Sequence, residues 1–311
     1  MAILMCMDTP VFQDRTKHVL EPKLMPCPIE YYKTWLKSRI YIKGTNRIPE
    51  QDEMFLGADS KTVKRRFSLS DSYWIKHFND KGTTYDSLNP YNNDFFIFDL
   101  CLSDKSVPSI TTGGSINKSW RRLPDGSTAI LKSTTRAWVI AEIAAVSLAQ
   151  KLGLAVNEVT KISDNELYIH NFTKAGKMLM HFQPWDLDVK RRDSVPTDFG
   201  YSFQAVGDVF KKLGVKGDFY ETFILFDALV GNWDRAYNLT NWGYYKDGRT
   251  GENTFCPMYD FNLAHPHQDN IFLHLVRKQI TDKHRALLRQ WRAIVEAHGY
   301  PCWLNNLKNL L

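Results

Sequence analysis

The chain has 311 residues, enough for two modest domains or one two-lobed enzyme, and no apolar run approaches the ~20 residues of a membrane-spanning helix. Hydrophobic residues make up 43% and charged residues 24%, an ordinary globular balance, and the formal net charge is a modest +6. The five cysteines are scattered, with no CxxC pair, which excludes a disulfide framework or a cysteine zinc site and points to a reducing cytoplasm.

Residues 1–8 are apolar, but they carry no basic leader or cleavage site, so they predict a buried first strand rather than a signal peptide. Residues 31–94 are aromatic and turn-rich. A β-rich block follows. Thr112-Gly113-Gly114-Ser115 reads as a turn, 120–123 as a strand, Pro124-Asp125-Gly126-Ser127 as a strong turn, and 128–132 as a strand ending on Lys132. The spacing predicts a helix over 138–152, stopped by Gly153, and a strand over 167–169. From Tyr201 the pattern is helical. Phe219, Phe223, Phe226, Leu229 and Val230 recur at helix spacing before Gly231, and Asp234 opens a loop. Strands over 242–245 and 254–258 flank a hairpin turn, and 285–298 predicts a basic terminal helix.

Gly231-Asn232-Trp233-Asp234-Arg235, then Asn241, then Tyr259-Asp260-Phe261-Asn262, put two carboxylates and their amides in one short region. A phosphoryl-transfer enzyme needs that set: one Asp orients the attacking hydroxyl, and an Asn and a second Asp hold Mg²⁺ on the phosphates of ATP. The hairpin between Asp234 and Asp260 folds back, so both can converge at its open end. The first half supplies the complement. Thr111, Thr112, Gly113, Gly114, Ser115 and Lys118 form a glycine-containing loop whose amides can face phosphate oxygens. Lys132 ends the next strand, and Glu142 on the following helix can pair with it, the kinase order of strand lysine and helix glutamate.

These stretches, with Ile130-Leu131-Lys132, Leu152-Gly153-Leu154 and Leu167-Tyr168-Ile169-His170-Asn171-Phe172, resemble the HipA family of serine/threonine protein kinases from about Ser109 to Asn262. The resemblance implies an α+β, two-lobed protein-kinase-like fold. A β-rich N-terminal lobe would cover 1–170 and a mainly helical catalytic lobe 171–311, with ATP between them. It implies that Asp234 is the catalytic aspartate and Asp260 the Mg²⁺ ligand. Lys132 would hold the phosphates under the 112–118 loop, and the backbone of His170 and Phe172 would meet adenine. Thr111 matches a loop serine that members of the family phosphorylate to switch themselves off. A protein Ser/Thr substrate and a small DNA-binding antitoxin are the partners implied. Trp233 and Ala236 stand where the family has Thr and His. Asn238 and Asn241 bracket the place of the metal-binding Asn, and Asn241 is the simpler assignment.

Two rival readings stand beside this one: a nucleotide-binding pseudokinase acting through a partner, and a nucleic-acid binder using Lys61 with Lys64-Arg65-Arg66, Lys190-Arg191-Arg192, or Lys283, Arg285, Arg289 and Arg292. A solvated surface is the simpler reading of these clusters. His265, His267, Asp269 and His274 could bind zinc, but their spacing fits a polar loop better. Asp186 and Asp188 read as a surface turn.

Overall fold

The computed structural model describes residues 2–38, 69–91, 117–187, 199–237, 241–262, 264 and 270–311. The fold is α+β, with antiparallel sheets, and the chain divides into two compact units. One unit gathers Met1–Ser133, Tyr168–Met180 and Tyr245–Asn253; the other gathers Thr134–Leu167, His181–Tyr244 and Thr254–Leu311.

The first unit begins with β1 (Ala2–Cys6), whose Leu4, Met5 and Cys6 are buried. With β2 (Thr9–Gln13), β3 (His18–Val19) and β4 (Tyr73–His77) it makes an antiparallel sheet of order β3-β2-β1-β4. Cys6 pairs with Thr9, so Met7 and Asp8 alone make the turn, with Met7 at φ 48°. Trp74 Nε1 donates to the Met7 carbonyl at 2.7 Å and anchors that turn. Met5, Leu69, Trp74 and Tyr85 pack as a small core. The helix α1 (Tyr32–Ser38) adds Trp35, which meets Tyr73 edge-on at 5.5 Å.

The predicted hairpin is β5 (Asn117–Arg122) and β6 (Thr128–Ser133), in register from Asn117 opposite Ser133 to Arg122 opposite Thr128; its first strand starts earlier than the sequence predicted, so Lys118 stands in a strand and not in the loop. Gly126, at φ 81°, makes the turn that a side chain would strain. Two strands follow, β7 (Val159–Lys161) and β8 (Glu166–His170), and β8 lies next to β6. Asn171 N–H then donates to the Thr128 carbonyl and Thr173 Oγ1 to the Leu69 carbonyl, tying the segment after β8 to this unit. A three-stranded sheet of order β11-β10-β9 combines β9 (Lys177–His181), β10 (Gly243–Asp247) and β11 (Asn253–Phe255).

The second unit is mainly helical. In α2 (Arg136–Lys151), Thr135 caps the start by accepting from Trp138 N–H, and Gly153 at φ 72° follows the end. Alanines at 141, 144, 145 and 149 are buried with Val139, Val146 and Leu148, and Glu142 is the one charged residue buried with them. Next come α3 (Phe199–Lys212), a π-helical turn at Tyr220–Ile224, and α4 (Leu225–Val230). The predicted helix over 219–230 thus carries an inserted residue, the usual origin of a π turn. Asp234 opens a single helical turn, α5 (Asp234–Tyr237), where the sequence predicted a loop.

The chain closes with α6 (Asn270–Gln279), α7 (Asp282–His298) and α8 (Pro301–Leu310). The terminal helix predicted from 285 starts earlier because Thr281 and His284 form a capping box. Around Phe223 an aromatic core forms: Phe210 stacks on it at 6.0 Å, and Trp242 and Phe255 meet it edge-on at 5.7 Å and 5.6 Å.

Candidate active site

The site residues of the second unit are assembled by one buried arginine. Gly231 ends α4 in the left-handed region, φ 73°, and turns the chain sharply enough for Asn232 N–H to donate back to the Asp227 carbonyl at 2.8 Å. Asp227 is a carboxylate inside an otherwise apolar helix and is 1% exposed. Its Oδ1 accepts from Asn232 Nδ2 at 2.9 Å and its Oδ2 from Arg235 Nε at 2.6 Å. Arg235, also 1% exposed, sends Nη1 to the Asn241 carbonyl at 2.5 Å and Nη2 to the Tyr259 carbonyl at 2.9 Å. One side chain therefore fixes α4, the segment at Asn241 and the segment at Tyr259. Burial works against the guanidinium charge, but the Asp227 carboxylate outweighs it and holds the arginine pKa above its ordinary value.

Asp234, next in sequence to Arg235, is half-buried, and its Oδ2 accepts from Asn241 Nδ2 at 2.7 Å. The structure thus sets Asn241 against Asp234; Asn238 lies outside the described residues. Asp260 has φ 63°, one of three non-glycine residues with positive φ among the described residues. Such a conformation persists only where neighbours enforce it. Arg235 holds the carbonyl before Asp260, and Glu142 Oε1 accepts the N–H of Phe261 after it at 2.9 Å. The same stretch is docked further back, where Asn157 N–H donates to the Met258 carbonyl and Met258 N–H to the Ala155 carbonyl. Glu142 is wholly buried, so its carboxylate bridges α2 to the Asp260 segment.

The described part of the first unit carries the cationic candidates. Lys118 and Lys132 are directly opposite each other across β5 and β6. Lys132 is fully buried and Lys118 half-buried. In the segment after β8, the Phe172 carbonyl accepts from Tyr245 Oη at 2.8 Å, and the two rings meet edge-on at 6.0 Å. His170 ends β8 and is half-buried. Thr111, Thr112, Gly113, Gly114 and Ser115 lie outside the described residues, as do Asp188, His265, His267 and Asp269; His274 is exposed on α6.

Several contacts around these residues are absent from the sequence reading. Asp227 gives one local signal, a lone acid in the run Phe223 to Val230. The Glu142 contact with Phe261 gives none, since 119 residues separate the partners. His181 from β9 was not singled out either, yet its Nδ1 shares a hydrogen bond with Tyr259 Oη at 3.0 Å, and the rings meet edge-on at 5.8 Å.

Other clusters resolve into ordinary structure. Lys283 pairs with Glu221, Arg285 donates to the Leu310 carbonyl and Arg292 pairs with Glu296, so this basic stretch is largely spent within its own unit. Asp218, Glu221 and His284 converge, but Asp218 Oδ1 caps the backbone of Tyr220 and Glu221, Oδ2 meets His284 Nε2 at 2.9 Å and Glu221 meets Lys283. This trio joins α7 to the π turn.

The candidate ligands of the second unit, Asp234, Asn241 and Asp260, would offer two carboxylates and an amide, all oxygen ligands. Asn232 Oδ1, on the turn between α4 and Asp234, is buried with no hydrogen-bond partner among the described residues. That set suits a hard divalent cation such as Mg²⁺ and offers nothing to a thiophilic metal.

No protein-family model matches the chain, and no curated protein matches it. Among solved structures it is similar to the proinflammatory kinase CtkA of Helicobacter pylori, at 16% identity over 64% of this chain and 90% of that one, with a TM-score of 0.40. It is also similar to a structure of the Shewanella oneidensis MR-1 toxin–antitoxin system, HipA with HipB and its operator DNA, at 14% identity over 100% of this chain and 96% of that chain, with a TM-score of 0.46.

Proposed function

We propose that this chain is a HipA-like, Mg²⁺-dependent protein kinase that transfers the γ-phosphoryl group of ATP to a serine or threonine hydroxyl. The observation that carries the reading is the Arg235 network, which brings Asp234, Asn241 and the Asp260 segment together around oxygen donors. The motifs shared with the HipA family support the same assignment.

Asp234 orients the acceptor hydroxyl and takes its proton as the new P–O bond forms and the bond to the β-phosphate breaks. Asn241 and Asp260 hold the metal. Bound Mg²⁺ supplies charge neutralisation on the phosphates. Lys132 and Lys118 bind phosphate oxygens, and the loop from Thr112 to Ser115 covers the phosphates. Glu142 fixes the Asp260 segment from behind. The backbone of His170 and Phe172 contacts adenine, and Thr111 is the candidate self-modification site. A small DNA-binding antitoxin is the partner that the family resemblance brings with it. The internal pairing of Lys283, Arg285 and Arg292 weighs against the nucleic-acid reading. A cytoplasmic setting agrees with Cys6, Cys256 and Cys302 being free thiols, and no helix among the described residues is long and apolar enough to cross a membrane.

The test is incubation with Mg²⁺ and γ-labelled ATP beside Asp234→Ala and Asp260→Ala. Label on wild type alone, mapped to serine or threonine, supports the kinase. Absence of label together with an ATP-induced melting shift turns the reading to a pseudokinase. Absence of both removes the nucleotide site.

A further inference from the structure

Asp260 is held in its left-handed conformation from three directions, and the third lies outside the motif region. Arg235 takes the Tyr259 carbonyl at 2.9 Å, and Glu142 takes the Phe261 N–H at 2.9 Å. Both act on the main chain, one on each side of Asp260. The remaining restraint acts through a side chain. Tyr259 is 9% exposed, and its hydroxyl shares a hydrogen bond of 3.0 Å with Nδ1 of His181, which comes from the end of β9. The rings are nearly perpendicular, at 85°, so the tyrosine is gripped at both its ring and its hydroxyl.

A residue at φ 63° with a Cβ is strained, and its carboxylate direction follows from the peptide planes on either side. Rotation of the Tyr259–Asp260 peptide is the motion that would relieve the strain. The Tyr259 side chain sits on the same residue as that peptide's carbonyl. Pinning the ring at its far end therefore resists the rotation that the Arg235 contact alone would have to resist.

We propose that His181 is a positioning residue for metal binding: through the Tyr259 hydroxyl it keeps Asp260 in the orientation that receives the divalent cation. This rests on the kinase reading, and it adds a residue that belongs to none of the motifs supporting that reading. It assigns His181 no proton transfer. It also predicts that the imidazole acts only as a hydrogen-bond partner, so an amide placed at Nδ1 should replace it.

The experiment titrates Mn²⁺ by electron paramagnetic resonance in the presence of a non-hydrolysable ATP analogue, on the full chain, with melting temperatures recorded in parallel. The variants are Tyr259→Phe, His181→Ala and His181→Asn. Tyr259→Phe and His181→Ala are expected to weaken Mn²⁺ binding about three- to tenfold, the effect of one lost hydrogen bond. His181→Asn, which keeps a polar atom at the Nδ1 position, is expected to stay within about twofold of wild type on the same scale. Equal Mn²⁺ affinity in wild type, Tyr259→Phe and His181→Ala overturns the proposal and leaves the kinase reading standing. Failure of His181→Asn to recover binding also overturns it. Wild type that binds no Mn²⁺ with the analogue overturns both.

Discussion

Arg235 and Asp227 form an ion pair at 2.6 Å in which each side chain is 1% exposed, and the same guanidinium supports two main-chain carbonyls. Lysine would keep the charge but could not reach both carbonyls in the fork geometry. Arg235→Lys is therefore expected to cost about 2–4 kcal/mol of stability in urea unfolding, with Arg235→Ala at the upper end or beyond. Phosphotransfer by the surviving folded fraction of Arg235→Lys should fall about a hundredfold, because Asp234, Asn241 and Asp260 lose their shared brace. A lysine variant with wild-type stability and rate would show that the network is incidental.

Asp260 offers a separation of strain from chemistry. At φ 63° a glycine is relaxed and an alanine is not. Both Asp260→Gly and Asp260→Ala should lose labelling. The glycine variant should nevertheless be more stable than the alanine variant by about 1 kcal/mol in thermal or urea unfolding. Equal stability would mean that this residue relaxes to an ordinary conformation once the carboxylate is gone.

Glu142 is buried and accepts the Phe261 N–H. Removing the acceptor leaves a buried donor unpaired, so Glu142→Ala should cost about 1–3 kcal/mol. Glu142→Gln retains an acceptor oxygen and should recover most of that loss in the same unfolding experiment. Equal damage from both would point to the charge rather than this hydrogen bond.

The two halves of the site were unequally readable from the sequence. Pro124-Asp125-Gly126-Ser127 announces its hairpin because the turn needs those residue types, and Gly153 marks the end of α2 for the same reason. Asp234 and Asp260 stand out in the sequence because the proposed phosphoryl transfer would restrict what can stand there. The contacts that hold them are hidden for a physical reason: the partners are distant in sequence. Arg235 reaches a carbonyl 24 residues away, His181 a hydroxyl 78 away and Glu142 an amide 119 away. A pattern of period two or 3.6 encodes which face is buried, and it carries no information about which distant carbonyl a buried arginine will find. The π turn at Tyr220–Ile224 was hidden in another way, since Phe219, Phe223 and Phe226 within and around it also satisfy the ordinary helical spacing closely enough.

Asp186 supplies a pH signature. Burial pushes its carboxyl up to about 6, against the Gln183 N–H that donates to it at 2.7 Å. Between pH ~4 and 6 the folded chain keeps a proton that the unfolded chain has released. Stability therefore declines as pH rises through that window, and the deficit is complete above it. Asp186→Asn should raise stability at pH 7.5 on the order of 1–3 kcal/mol and leave it unchanged at pH 4. An equal effect at both pH values would mean that the carboxyl titrates normally.

Asp234 and Arg235 are adjacent in the chain yet differ in surroundings, one half-buried and one sealed in the core. Asn241 Nδ2 holds the Asp234 carboxylate at 2.7 Å, and Arg235 in turn holds the Asn241 carbonyl, so the acid depends on the same guanidinium. Any disturbance that lets water reach the guanidinium also releases the acid, and a partly opened second unit should have no intermediate level of turnover. For the proposed kinase, turnover would be a gauge of core integrity: on heating, the rate and the fold should disappear along a single curve.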